Sequence, residues 1–193
     1  RIVSVSLGSS TRNHRVEVEF LGEKVTIERI GTDGNLSKAI EMIENLDGKV
    51  DAFGMGGIDL YLIAGKKRYV IKDATKMARA ARKSPIVDGS GLKNTLERKV
   101  VHFLSDNLNI NLKSKKILMA SAVDRFGMAE AFSSVGADII FGDFIFALGI
   151  PMPIKTLRGL EIIAGSLLPV LTRMPFHLLY PTGSKQEHDT PKY

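Results

Sequence analysis

The residues best suited to chemistry lie in one short segment, residues 84–97, which reads SPIVDGSGLKNTLE. A short apolar run ends there at Asp88, and Ser90 and Lys93 follow. A lysine near an aspartate can move a proton, and the free N–H groups of a helix start can bind a carboxylate or phosphate. We therefore predict that Lys93 acts with Asp88, or with Asp33 of a second turn. The residues predicted to bind substrate or anion here are Gly89, Ser90, Gly91, Asn94 and Thr95.

The same turn also fits an ordinary helix start. Asn94 is typical of an N-cap residue, and Glu97 three positions later completes a capping box. The glycines would then only bend the chain. This interpretation leaves Asp88, Ser90 and Lys93 without a role, and the two interpretations are compatible.

Two further turns follow predicted strands and could share one edge of a sheet. The turn LGSSTR offers hydroxyls and a guanidinium that suit a polyol or a carboxylate, and GMGGID offers exposed backbone. Close backbone packing is the more frequent reason for glycines at strand ends. If the strand order brings these turns together, we expect five more substrate- or anion-binding residues: Ser9, Ser10, Arg12, Gly56 and Gly57.

Residues 117–143 have the strand–turn–helix–strand order of a dinucleotide-binding unit. Asp143 ends the second strand about 20 residues after the first turn, where a ribose-binding acid is expected. The turn itself, AVDRFG, holds one glycine instead of three, so Arg125 would supply an anion contact. We predict cofactor binding by Asp124, Arg125, Gly127 and Asp143, with an ordinary βαβ unit as the alternative.

Hydrophobic patterns place these turns in an α/β fold. The runs PIVDG, ILMASAV and ADIIFGD are apolar throughout, as in parallel strands covered on both faces. HRVEVEF and KVTIERI alternate around LGE and predict an antiparallel hairpin. The expected fold is a Rossmann-like, doubly wound, mostly parallel sheet with an N-terminal antiparallel hairpin.

One α/β domain is expected over residues 1–180, with 110–115 as an optional sub-boundary. Residues 181–193 would form a polar loop or tail. The chain ends at TPKY without a closing element, which favours a C-terminally incomplete chain. Residues 144–180 are apolar enough to pack into a core or a subunit interface, so a homo-oligomer is an expected partner.

Composition limits the classes of ligand and partner that this chain is expected to bind. The 193 residues carry a formal net charge of +6, which suits a carboxylate or phosphate ligand. Aromatic residues make up only 7%, with no Trp, which disfavours nucleic acid. Without cysteine, and with its four histidines far apart, the chain offers no expected metal site. The longest apolar run is too interrupted to span a bilayer, so a cytoplasmic protein without membrane partners is expected.

Five blocks of the chain carry a family resemblance: VSVSLGSSTRNHRVEVEFLGE, ERIGTDGN, VDAFGMGGIDLYL, PIVDGSGLKNTLER and ADIIFGDF. Together they resemble a bacterial family commonly labelled quinate 5-dehydrogenase. The resemblance implies oxidation of a ring hydroxyl of quinate, a polyhydroxylated carboxylic acid, with NAD or NADP as cofactor. Shikimate and quinate dehydrogenases use a Lys–Asp pair at that hydroxyl. Two alternatives stay open: a non-redox anion-binding protein or other enzyme on the same scaffold, and an assembly subunit that docks through residues 144–180.

Overall fold

The structure is a computed structural model that describes residues 1–178. The predicted tail at 181–193, and the last two residues of the apolar region 144–180, lie outside these residues. The chain forms two compact units. The first contains Arg1–Leu60, Val70–Gly89 and the described residues from Arg173 onward, and the second contains Tyr61–Tyr69 and Ser90–Thr172. The optional sub-boundary at 110–115 falls inside the second unit.

Strands and helices alternate along most of the chain. The strands are β1 (Ile2–Ser6), β2 (His14–Phe20), β3 (Glu23–Gly31), β4 (Ala52–Gly56), β5 (Tyr61–Ala64), β6 (Lys67–Val70), β7 (Ile86–Val87), β8 (Lys116–Met119) and β9 (Asp138–Phe141). The α-helices are α1 (Leu36–Leu46), α2 (Lys72–Ala80), α3 (Ser90–Asn94), α4 (Leu96–Asp106), α5 (Phe126–Ser134), α6 (Asp143–Leu148) and α7 (Leu157–Leu171).

The first unit is built on a mostly parallel sheet with the strand order β2-β3-β1-β4-β7. β1 runs parallel to β3 and β4, and β4 runs parallel to β7. The expected hairpin is confirmed, since β2 pairs antiparallel with β3. The carboxyl ends of β1, β3, β4 and β7 therefore share one edge, where ligands of α/β proteins bind.

The two faces of this sheet differ in burial. Val3 and Val5 on β1 and Phe53 on β4 are fully buried, while α1 packs against β1 and α2. The alternate positions carry small or partly exposed residues, such as Ser4 and Gly54. This period-two pattern fixes the register, because a slip of one residue would exchange the faces.

The second unit contains a parallel pair, β8 and β9, joined through α5, and a separate hairpin of β5 and β6. Phe126, Phe141, Leu160 and Leu168 belong to its buried core. The carboxyl ends of β8 and β9 lie side by side, so the β8–α5 turn is next to the start of α6.

One expectation about the strands needs correction. ILMASAV and ADIIFGD form strands, but these strands pair with each other and are not members of the five-stranded sheet. α7 continues through Pro169 to Leu171.

Candidate functional site

The centre of the candidate site is an ion pair between Lys93 and Asp124. Lys93 lies on α3, and Asp124 lies in the β8–α5 turn. The Lys93 Nζ is 2.7 Å from Oδ1 and 2.8 Å from Oδ2 of Asp124. The two side chains are 20% and 28% exposed, so the pair is shielded yet reachable from solvent.

A small pocket surrounds this pair. Residues from the β5 strand, from α3 and from the start of α5 form its wall: Tyr61, Leu62, Ile63, Ser90, Asn94, Phe126 and Gly127. Its lining combines apolar side chains with a few polar groups, and the recess is about the size of one water molecule.

Ser90 fixes the β5 wall of the pocket. Its side chain is buried, and its Oγ donates a hydrogen bond of 3.0 Å to the carbonyl oxygen of Tyr61. The Tyr61 N–H donates back to Ser90 Oγ at 3.5 Å. Arg68 covers the Tyr61 ring, with its guanidinium carbon 4.0 Å from the ring centre. The hydroxyl of Ser90 therefore positions backbone at the pocket.

Ion pairs hold α4 against α5 beside the site. Arg98 Nη2 donates to Glu130 Oε2 at 2.5 Å and to Asn94 Oδ1 at 3.1 Å. Arg125, predicted as an anion ligand of the cofactor, pairs with Glu97. The amide of Asn94 and the guanidinium of Arg125 are thus both engaged by protein groups.

The capping interpretation of this segment is wrong. α3 already begins at Ser90, so Asn94 ends that helix and does not cap the next one. Thr95 precedes α4 without a side-chain cap, and its Oγ1 donates to the carbonyl of Gly91 at 2.8 Å. The sequence pattern misplaced the start because the residues after Gly89 already have helical conformation.

Gly127 permits the close approach of α5 to α3. A Cβ at this position would lie 2.8 Å from Asn94 Oδ1. By contrast, a Cβ at Gly89 or Gly91 would meet nothing within 4 Å. Packing therefore explains Gly127 and leaves Gly89 and Gly91 unexplained.

Asp143 stabilises the β8–α5 turn from the end of β9. Its Oδ1 accepts the Val123 N–H at 2.9 Å, while its Oδ2 is buried without a hydrogen-bond partner among residues 1–178. Burial raises the pKa of Asp143, and the nearby charge of Asp124 raises it further, although the backbone N–H groups oppose this.

The residues predicted to bind NAD or NADP are in contact with other protein groups. Arg125 is paired with Glu97, Gly127 packs against Asn94, and the free oxygen of Asp143 is buried. Asp124, the fourth predicted cofactor residue, is the carboxylate beside Lys93. A pyrophosphate needs exposed backbone N–H groups, and the one glycine of this turn, Gly127, is already packed against Asn94.

The two carboxylates predicted to be catalytic, Asp88 and Asp33, belong to the first unit. Asp88 Oδ2 accepts the Leu60 N–H at 2.5 Å, which holds the chain after β4. Asp33 adopts a φ of 52°, and its Oδ1 accepts the Ser10 N–H at 2.6 Å. This backbone hydrogen bond lowers the pKa of Asp33.

The turns after β1, β3 and β4 lie at the carboxyl edge of the sheet, a grouping that the sequence left open because it does not give the strand order. Gly56 and Gly57 serve packing there: added Cβ atoms would lie 2.8 Å from Ser6 Cβ and 2.9 Å from the Gly8 nitrogen. Ser9 Oγ is 2.8 Å from Thr11 Oγ1 within its own turn. The glycines are thus explained by the more frequent interpretation.

Sequence reasoning missed one residue at this edge, Arg29. It lies on β3, and its guanidinium donates to the carbonyl oxygen of Ser9 and to Ser6 Oγ, both at 3.0 Å. An arginine in an alternating strand reads as a solvent-facing residue, so only the strand order reveals that it reaches the β1 turn.

Comparisons with known proteins place the chain in a family without an assigned function. Residues 91–193 match the family described as Domain of unknown function (DUF8754). The chain belongs to the DUF8754 family. Residues 1–88 match a second description, Domain of unknown function (DUF8753). The gap between the matched ranges coincides with the change of unit after Gly89.

Function cannot be transferred to this chain from a similar protein. No curated protein and no solved structure matches this DUF8754 chain. Within residues 1–178, no helix is long and apolar enough to cross a membrane. In the same residues, no group of three or more His, Cys, Asp or Glu side chains is arranged to hold a metal ion.

Proposed function

We propose that this DUF8754 protein is an oxidoreductase that acts on a ring hydroxyl of quinate or of a similar polyhydroxylated carboxylic acid. The observation that carries the proposal is the Lys93–Asp124 pair, shielded in a pocket with polar and apolar walls. A Lys–Asp pair is the group that the family resemblance implies at the reacting hydroxyl. Here it combines the predicted Lys93 with a carboxylate assigned from sequence to a different role.

The pair supplies proton transfer. Asp124 holds Nζ through both carboxylate oxygens, which fixes the position of the ammonium group. A substrate hydroxyl bound beside Nζ can hydrogen-bond to it and exchange its proton with the pair. Partial burial strengthens this interaction, because fewer water molecules compete for the charges.

NAD or NADP enters the proposal through the family resemblance. The β8–α5 turn gives it little support, because its side chains are already engaged by protein groups. A Rossmann-like, doubly wound fold and a cytoplasmic location are also proposed, both from the hydrophobic pattern of the sequence. The parallel β8–α5–β9 unit supports the first of these.

The test is an oxidation assay with quinate and shikimate, each with NAD and with NADP, followed by nicotinamide absorbance. We expect activity in the wild type and a loss of about 100-fold or more in Lys93→Ala and Asp124→Asn, the size of a general acid–base contribution. Lys99→Ala is the matched control, since Lys99 lies exposed on α4 and loses the same charge.

Two outcomes would overturn the proposal. The first is a folded wild type that oxidises neither acid with either nucleotide. The second is activity that survives in both pair variants while their circular dichroism matches the wild type. Lys93→Arg guards against a folding artefact, because it keeps the ion pair and changes only the proton-transfer group.

A second candidate function, assembly through the apolar region 144–180, is favoured by exposed side chains. Phe146 and Leu148 on α6 are 59% and 58% exposed, and Ile162 on α7 is 61% exposed. Large exposed apolar residues often mark contact surfaces between proteins. A homo-oligomer that Ile162→Glu converts to a monomer in light scattering would support this function, and a monomeric wild type would contradict it.

A further inference from the structure

Two arginines converge at the carboxyl edge of the five-stranded sheet. A Cβ placed on Gly8 would lie 2.8 Å from Arg29 Nη2 and 3.1 Å from Arg12 Nη2. Both guanidinium groups therefore lie close to the same point, just after the end of β1. Arginine remains protonated in proteins, so two positive charges share this site.

Arg29 is held in place but is not neutralised. Its two hydrogen bonds go to the Ser9 carbonyl and to Ser6 Oγ, and no carboxylate within residues 1–178 forms an ion pair with it. Burial lowers the pKa of Arg29, and the charge of Arg12 lowers it further. A partly buried charge without a counterion is costly, and a bound anion would remove this cost.

The sheet face that carries Arg29 is mostly apolar, with Val16, Val25 and Ile27 farther along the hairpin. His14 on β2 and Ser4 on β1 lie directly opposite Arg29 in the register, and residues directly opposite share a face. Along β1 to β4, the carboxylate on this face is Glu23, at the far end of the hairpin. The carboxylate of Asp33, in the turn after β3, accepts the Ser10 N–H at 2.6 Å.

We propose that Arg12 and Arg29 bind a small oxyanion, the phosphate or carboxylate group of a ligand, above Gly8. Planar guanidinium groups bind both kinds of oxyanion through paired N–H groups, and two of them match a phosphate dianion in charge. Ser4 and His14 line the approach along the sheet. Every residue of this site belongs to the first unit, so the proposal does not depend on the function proposed for Lys93 and Asp124.

Gly8 gives the proposal a test that leaves the charge unchanged. Its φ is not in the left-handed region, so alanine does not strain the backbone there. The added methyl group would occupy the space between the two guanidinium groups and displace Arg29 Nη2. Gly8→Ala should therefore weaken anion binding although both arginines remain.

The experiment is calorimetric titration of the full chain with inorganic phosphate and, separately, with quinate as a carboxylate, at low ionic strength. We expect saturable binding that weakens about tenfold or more in Arg12→Gln, Arg29→Gln and Gly8→Ala, as for loss of one charge-assisted contact. Arg15→Gln is the control, because Arg15 loses the same charge on the opposite face of β2. Phosphate should raise the melting temperature of the wild type and not that of Arg29→Gln.

The two ligands separate the sources of the oxyanion. Tighter binding of phosphate assigns the site to a phosphorylated ligand, and tighter binding of quinate assigns it to an organic acid. Absence of saturable binding of both would overturn the proposal. So would an equal loss in Arg15→Gln, which would mean that net charge alone attracts the anion. Failure here leaves the oxidation assay of the Lys93 variants unaffected.

Discussion

At the scale of single residues, Asp143 is a buried carboxylate with only one of its two oxygens hydrogen-bonded among residues 1–178. One oxygen is bonded to the Val123 N–H, while the other is buried without a partner among residues 1–178. The carboxylate therefore organises the β8–α5 turn but loses hydration when it is charged. Its contribution to folding must depend on pH, since burial raises its pKa in the folded state above the unfolded value of 3.8.

The predicted variant is Asp143→Asn, which keeps an oxygen for the Val123 N–H and removes the titration. Between the unfolded and the raised folded pKa, the folded wild type holds more protons than the unfolded chain. Its free energy of unfolding therefore falls as the pH rises through that window. Relative to the wild type, the variant should gain stability in urea unfolding as the pH rises from the unfolded pKa of 3.8 through the raised folded pKa.

The matched control for this variant is Asp138→Asn, on β9 and exposed to solvent. Its stability relative to the wild type should change less over the same pH range. If the stability difference between Asp143→Asn and the wild type does not change with pH, the charged carboxylate does not destabilise the folded protein. Asp143→Ala should be less stable than Asp143→Asn at every pH, because the Val123 N–H loses its acceptor.

Residue roles were the least predictable part of the candidate site. The chemistry of Lys93 was recognised from its neighbours in sequence, but its carboxylate, Asp124, comes from 31 residues away. Asp88 and Ser90 have the right groups for a ligand, yet they bond to the backbone of Leu60 and Tyr61. A single sequence shows which groups are present, whereas the contacts are set by which turns the fold brings together.

At the scale of elements, the turn of the β2–β3 hairpin is destabilised by a leucine in the left-handed backbone region. Its two-residue turn places Leu21 at φ 53° and Gly22 at φ 80°, the signs of a type I′ turn. Leucine disfavours this region because of its Cβ, while asparagine tolerates it. Leu21 is also 89% exposed, so its side chain gains little from burial.

We predict that Leu21→Asn raises the free energy of unfolding by about 0.5 to 1 kcal/mol. Urea unfolding at neutral pH measures this change. Leu21→Ala is the informative control, since it removes the same side chain without easing the left-handed conformation. Equal stability of the two variants would contradict the turn explanation.

Elements were predicted well where a local pattern determines them. The hairpin alternation depends on neighbouring residues, and the hairpin is confirmed. The partners of β8 and β9 were not predictable in this way. An apolar run reports that a strand is buried, but it does not report which strand lies beside it. The short helix α3 was missed because five residues show no period.

At the scale of the whole molecule, sequence and structure divide the chain differently. The sequence favoured one domain over residues 1–180, because no linker composition interrupts it. The structure gives two compact units, and the two family descriptions meet at the same place, between residues 88 and 91. The chain passes between the units more than once, and such an interleaved path leaves no linker for composition to reveal.

The last prediction concerns how these units unfold. Each has buried aromatic residues of its own, with Phe53 in the first and Phe141 in the second, both almost inaccessible to solvent. We expect calorimetry to resolve two transitions. Phe53→Leu should lower the midpoint temperature of one transition, and Phe141→Leu that of the other. Each substitution should cost about 1 to 2 kcal/mol of unfolding free energy because packing is lost. If both variants shift a single shared transition, the units fold cooperatively as the one domain that the sequence favoured, because a substitution in either core would then destabilise the whole chain.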